Sequence, residues 1–226
     1  MPLVCEGVTF PRNPVMTARV RRLLRNGTYE LKEARALRDL IRSGDRILEL
    51  GGGLGYLSAK ARQFGASEVT VVEANPELVQ YIKQQHAVNK IASTTILHGL
   101  VDTKDAPGKK IHLRKNFLAS SARADIHPER IETSVLVPCL GINQLIDRSR
   151  PDVLICDIEG AEVDVLSAAD LTGLRSAVVE LHPQWIGSTG VAAVFDAFSR
   201  AGMTYCAKGS HGKVVVFERA IPNEAA

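Results

Sequence analysis

The stretch ILELGGGLGYLS at residues 47–58, followed by VTVVEANPEL at 69–78, constrains the fold more than any other part of the chain. Apolar Ile47 and Leu48 lead into an acidic residue, Glu49, and then into Gly51, Gly52, Gly53 and Gly55. So many glycines end a strand and open a turn, and the amphipathic run after them reads as a helix. A second apolar strand then ends on Glu73, 20 residues after Gly53. Strand, glycine turn, helix, strand is how a parallel α/β sheet begins. The glycines let the backbone approach a ligand, and a carboxylate at the end of the next strand can accept from two ribose hydroxyls.

The same residues bear on which nucleoside. A dinucleotide fingerprint places a third glycine where the helix packs on the strand, and here that position is Tyr56. The pattern is instead Glu-x-Gly-x-Gly-x-Gly, with a carboxylate just ahead of the turn. Glu49 offers nothing to a pyrophosphate but would suit an ammonium group. S-adenosylmethionine (SAM) carries an amino group, a sulfonium and a ribose diol without a phosphate, so the charges favour SAM over NAD. The expected cofactor contacts are Glu49, Gly51, Gly53, Gly55, Glu73 and Asn75.

Residues 1–27, with Pro2, Pro11 and Pro14 and a basic run from Arg19 to Arg25, read as an irregular arm packed on the domain or over its site. The domain proper then occupies 28–226. Thr28 is the expected N-cap of a helix to about Ser43, and Asn75 with Pro76 starts another that reaches about Asn89. Further strands are expected at 94–98, in PDVLICDIEG ending at Asp157, and in SAVVELHP ending at Glu180. Helices fall around 142–148, in AEVDVLSAADL, and over the i, i+3, i+4, i+7 set Val191, Val194, Phe195 and Phe198. Segments 203–208 and 213–219, joined by GSHG, read as a β-hairpin. The alternation predicts a doubly wound, mostly parallel sheet with helices on both faces and this antiparallel hairpin at its edge. Residues 103–140 break the rhythm, with short candidate strands at 110–114 and 134–138 around a polar stretch holding Lys115, Asn116, Ser120, Ser121 and His127. An insertion of that size suits a lid or substrate wall.

Ligands in such a sheet sit outside the carboxyl ends of the strands. Four strand ends there carry carboxylates or glycines: Glu49–Gly55, Glu73–Asn75, Asp157–Gly160 and Glu180–His182. Methyl transfer to an alcohol needs alignment and a proton acceptor, because an aliphatic hydroxyl is a very weak acid. His182 is the first candidate base, with Glu159 and Glu180 beside it, and Asp157 is placed to orient SAM or the acceptor. The alternative for His182 is a packed ring bonded to backbone; for Glu159 it is a helix-terminus residue. Asp157, Glu159 and Glu180 could supply oxygens to Mg²⁺, but their spacing matches no metal motif and no metal is expected. His86, His98 and His112 default to structural roles, and His211 to an exposed turn.

Hydrophobic content of 45% and charged content of 23% are ordinary for a globular domain. The formal net charge of +3 is uneven: residues 12–42 carry nine Lys/Arg against three Asp/Glu, and residues 104–130 seven against three. These are solvated faces or a rim for an anionic substrate. Few aromatics accompany them, so no nucleic-acid partner is expected. Cys139 and Cys156 lie in apolar runs as core thiols. Without a secretory signal or an apolar run of the roughly 18 residues a membrane span needs, a cytoplasmic location is expected.

The chain resembles the FkbM-type family of SAM-dependent methyltransferases, a branch of the Rossmann-like class I fold. Three stretches carry the likeness: NGTYELKEARALRDLIRSGDRILELGGGLGYLS, VEANPEL, and PDVLICDIEGAEVDVL followed by VVELHP. The resemblance implies a seven-stranded sheet and O-methylation of hydroxyls on sugars, glycolipids or polyketide-type molecules. It places SAM contacts on Glu49, Gly51, Gly53, Glu73 and Asn75, and marks Asp157 and Glu159 as site residues. Two other readings stand beside it. One is a non-catalytic module that binds SAM, a nucleoside or a protein on the same fold. The other is an NAD-dependent oxidoreductase, against which Tyr56 and the lack of a Tyr-x-x-x-Lys pair both argue. No Asn/Asp-Pro-Pro-Tyr/Phe motif follows a strand, which weighs against a nucleobase amino group as acceptor.

Overall fold

The computed structural model describes residues 2–114 and 131–220. Its centre is a seven-stranded sheet built from β3 (Arg46–Leu50), β4 (Glu68–Glu73), β5 (Thr94–His98), β9 (Val153–Cys156), β10 (Ser176–Glu180), β11 (Met203–His211) and β12 (Val214–Arg219). The strand order is β11-β12-β10-β9-β3-β4-β5. β9, β3, β4, β5 and β10 pair in parallel, whereas β12 runs against both β10 and β11. This is the expected doubly wound, mostly parallel sheet with an antiparallel hairpin at its edge.

Side chains alternate across each strand, so the buried strands feed two cores. Ile47, Val69, Val71, Ile155 and Val178 enter one, covered by α2 (Leu31–Leu40), α3 (Tyr56–Gln63) and α4 (Pro76–Val88). Leu48, Leu50, Val72, Leu154 and Val179 enter the other, under α5 (Ile142–Ser149), α6 (Glu162–Ala168) and α7 (Pro183–Arg200). Near-continuous apolar runs in β3, β9 and β10 follow from burial on both faces. Asn75 caps α4 as expected: its side chain accepts from Glu77 N–H at 3.0 Å, with Pro76 in the first turn. α7 carries a break at Gly187, whose φ is 66°.

The N-terminal segment is not irregular. β1 (Leu3–Cys5) and β2 (Val8–Phe10) pair as a hairpin, and α1 (Ala18–Arg25) follows, capped by Thr17. Cys5, Val8, Phe10, Met16, Val20 and Leu24 are buried in the first core. Three-residue strands between prolines are too short to show periodicity, and only their burial makes them elements. α2 also departs from expectation: its N-cap is Glu30, in the left-handed region at φ 45°, rather than Thr28. Tyr29 explains the shift. Its ring is buried edge-on against Phe10 and Tyr56, and the chain must turn sharply after it to start the helix.

The described residues of the insertion join β6 (Leu100–Asp102) in a separate three-stranded sheet, ordered β6-β8-β7, with β7 (Ala106–Arg114) and β8 (Ile131–Gly141). Its strands are longer than the pattern suggested, since β7 and β8 pair antiparallel over most of their length and extend each other. Lys115, Asn116, Ser120, Ser121 and His127 lie outside the described residues. In the last hairpin the turn falls at Gly212–Lys213 rather than across GSHG. Gly209 to His211 belong to β11, and its register shift is bridged by Ser210, which donates to Cys206 O and accepts from Val216 N–H. Among the described residues no helix is long and apolar enough to cross a membrane.

Candidate cofactor and active site

A cavity of about 300 Å³ opens at the carboxyl ends of β3, β4 and β9. One wall is the glycine turn and the end of β4: Gly51, Gly53, Glu73 and Asn75 all line it. The close approach of strands at that turn requires glycine. Gly51 has φ 87°, and a Cβ there would lie 1.9 Å from the carbonyl oxygen of Asp157. Glu73 is buried and anchored by backbone: Oε2 accepts from Gly53 N–H at 3.0 Å and Oε1 from Asn75 N–H at 2.7 Å. Each carboxylate oxygen has further acceptor capacity, so both can still take a hydroxyl donor. Burial raises the Glu73 carboxyl above its ordinary value in spite of these donors.

Glu49 and Gly55 lie close by but do not line the cavity. Glu49 is 1% exposed beneath the turn, and its Oε2 has no hydrogen-bond partner among the described residues. Burial, reinforced by the charge of Glu30, pushes its carboxyl well above the usual range. Glu30 itself does line the cavity, and burial with the neighbouring Glu33 pushes its carboxyl up to about 8. Glu30 escaped assignment from sequence because a left-handed residue between a buried tyrosine and a helix follows no period. Its one signal was the Tyr-Glu pair ahead of the glycine motif.

The opposite wall comes from DIEGAE. Asp157, Glu159 and Asp164 line the cavity, with Lys109 and Ile111 of β7 closing it from the accessory sheet. Lys109 also bonds Asp102 at 3.1 Å. Glu159 and Gly160 take consecutive left-handed conformations, φ 50° and 100°, in the turn before α6. A non-glycine residue held there marks a constrained site. Glu162, fully buried, stitches the turn by accepting from Gly160 N–H at 3.0 Å. The same oxygen lies 2.7 Å from Nδ1 of His182.

His182 and Glu180 stand behind this wall rather than on it. The His182 ring is 3% exposed, with Nε2 3.4 Å from Oε2 of Glu159 and 3.7 Å from Oδ1 of Asp157. Burial alone would lower its pKa, but the Glu162 hydrogen bond and the charges of Glu159, Glu162 and Glu180 together raise it. Burial, then repulsion from Glu180 and Glu159, pushes Asp157 well above the carboxylate range. Burial lifts Glu159 to about 7, with His182 pulling down and Glu180 pushing up. Elsewhere, buried His86 bonds Ser58 and Thr94, while His98 and His112 meet Ala74 O and Ser134.

The residues present fit SAM. The described lining carries Glu30, Glu73, Asp157, Glu159 and Asp164 against one cation, Lys109. Carboxyls held upward by burial and mutual repulsion offer nothing to a pyrophosphate, whereas a sulfonium or ammonium among them favours their ionised form. The comparisons with known proteins agree. Residues 53–206 match the model of the methyltransferase FkbM domain. A ribosomal protein L11 methyltransferase from Acetivibrio thermocellus is 32% identical over 78 residues, 34% of this chain and 25% of that protein, so the likeness spans about a quarter of its length. The crystal structure of methyltransferase FkbM from Methylobacillus flagellatus superposes with TM-score 0.54 and 12% identity, covering 92% of this chain and 56% of that one. A TehB-like SAM-dependent methyltransferase from Corynebacterium glutamicum gives TM-score 0.51 and 15% identity, over 89% and 95% of the two chains. At such identities the structures speak for the fold, a class I methyltransferase sheet. The family match covers well over half the chain, which therefore belongs to the FkbM methyltransferase family, with S-adenosylmethionine as its cofactor.

Proposed function

We propose that this chain methylates an alcohol hydroxyl on a sugar, glycolipid or polyketide-type small molecule. One observation carries the reading. Glu159 lies on the cavity wall, within 3.4 Å of an imidazole that buried Glu162 holds from behind. A hydroxyl acceptor must shed a proton during transfer, and a cavity-lining carboxylate backed by an oriented imidazole can take it. Bound SAM would supply an activated methyl group to the acceptor oxygen, with the C–S electron pair going to its sulfur. Glu159 accepts the hydroxyl proton, and His182 offers its carboxylate a positive partner. Glu180 shapes the charge around His182 without reaching the cavity. Glu73 would receive the ribose hydroxyls of SAM, and Asn75 holds the start of α4 beside it. Asp157, on the cavity wall, would orient SAM or the acceptor.

Two features shape the acceptor. The accessory sheet supplies Ile111 and Lys109, so the described part of the 103–140 insertion forms a substrate wall. The surrounding carboxyl groups favour a neutral polyol over the anionic substrate that the basic segments suggest, with Lys109 the one cation of the described lining. The test is methyl transfer from isotope-labelled SAM to a panel of sugars, glycolipids and polyketide alcohols, with ribosomal protein and RNA alongside. An O-methyl product, lost in Glu159→Gln, is expected. Label entering only protein or RNA would overturn the reading.

A further inference from the structure

The ends of β9 and β10 bring three electron-rich atoms together. A carboxylate oxygen of Asp157, one of Glu180 and a ring nitrogen of His182 lie within 4.8 Å of one another. The imidazole is buried, and so is the group behind it. Glu162 is 0% exposed, and its Oε1, 2.7 Å from Nδ1, selects the tautomer protonated on that nitrogen. A carboxylate taking the distal N–H of an imidazole is the arrangement that orients metal-binding histidines. In the neutral ring, Nε2 is thereby left with its lone pair facing Asp157 and Glu159. It has no hydrogen bond to either among the described residues, at 3.7 Å and 3.4 Å. Oδ1 of Asp157 is likewise buried and has no hydrogen-bond partner among the described residues. Atoms so arranged repel one another unless a positive charge, either a proton on Nε2 or a metal cation, lies between them.

We propose that Asp157, Glu180 and His182 bind one divalent cation of the borderline class typified by Mn²⁺ and Zn²⁺, with Glu162 positioning the imidazole. One nitrogen and two carboxylate oxygens suit such ions better than Mg²⁺ or Ca²⁺, which favour all-oxygen sets. Ligand bonds of roughly 2.0–2.2 Å ask the donors to draw in from their present spacing by about half an ångström or more, within reach of side-chain adjustment. The cation takes the place of the imidazolium proton as the positive charge beside Glu159. That consequence rests on the hydroxyl-methylation reading, whereas cation binding itself does not.

The experiment uses the EDTA-treated, dialysed 226-residue chain without SAM or acceptor. Mn²⁺ is titrated in, free ion is read by electron paramagnetic resonance, and Zn²⁺ is then added as competitor. One Mn²⁺ per chain, displaced by Zn²⁺, is expected. Glu162→Gln should weaken uptake about 10- to 100-fold, and Glu180→Gln should abolish saturable uptake, with circular dichroism reporting that both fold. Absence of saturable Mn²⁺ and Zn²⁺ uptake, or uptake unchanged in folded Glu180→Gln, overturns the proposal. A protein that methylates alcohols but takes up neither ion loses this inference alone. One that binds Mn²⁺ but methylates no alcohol loses the acceptor reading alone.

Discussion

Replacing Gly51 by alanine should be far more damaging than the same change two residues later. At Gly51 the new Cβ would meet the backbone carbonyl oxygen of Asp157 at 1.9 Å, where no side-chain rotation gives relief. Comfortable C···O contact begins at about 3.3 Å, so the ends of β3 and β9 must part. The Asp157 N–H to Leu50 O bond, 2.9 Å, crosses that junction, and the Gly51 N–H to Val72 O bond, also 2.9 Å, ties the same end of β3 to β4. A left-handed alanine costs about 1–2 kcal/mol, overpacking about 1–3 kcal/mol, and one weakened backbone bond about 1 kcal/mol. A total near 4 kcal/mol lowers the melting temperature by about 10 °C in a domain of this size. At Gly53, φ is 50° and the Cβ would face side-chain atoms only, Tyr29 Oη at 3.3 Å and Glu30 Oε1 at 3.4 Å. There the loss should be about 1 kcal/mol, or roughly 3 °C. Calorimetric melts of both variants, with a SAM titration at a temperature where each is folded, make the comparison. Equal melting temperatures, or Gly51→Ala within two or three degrees of the parent, would refute the backbone-clash argument.

Calorimetric titration should show saturable binding of SAM and S-adenosylhomocysteine but not NAD. Glu73→Ala should weaken SAM about 10- to 100-fold through two lost hydroxyl contacts, and unchanged affinity would remove Glu73 from the ribose. His86, whose pKa burial lowers to about 4, governs acid stability instead. A histidine kept neutral in the fold contributes fully above its unfolded pKa of about 6.5. That contribution fades as pH falls toward 4, by about 2.5 kcal/mol at pH 4.5. Urea unfolding at pH 7.5 and 4.5 should show this extra loss in the parent and not in His86→Gln. Parallel pH profiles for the two proteins would count against it.

Where the signal was local, the sequence by itself determined the outcome. β3, β4, β9 and β10 are apolar runs closed by an acid or a glycine, α4 announces its cap with Asn75–Pro76, and the order of these elements dictates a parallel sheet whose strand ends gather Gly51, Gly53, Glu73, Asn75, Asp157 and Glu159 around one cavity. Distance along the chain decided the rest. Phe10, Tyr29 and Tyr56 form one buried cluster from three separate segments, and only that packing turns the N-terminal residues into a hairpin and swings Glu30 onto the cavity wall. β6 finds its parallel partner at Cys139–Gly141, some 39 residues away, so the insertion's sheet has no local signature. His182 reads as a strand-end residue facing the ligand, yet Glu162, 20 residues earlier, draws it behind the wall. Periodicity reports which face of an element is buried. Which carboxylate meets which imidazole is settled by tertiary contacts, because side-chain partnership depends on three-dimensional proximity rather than on spacing.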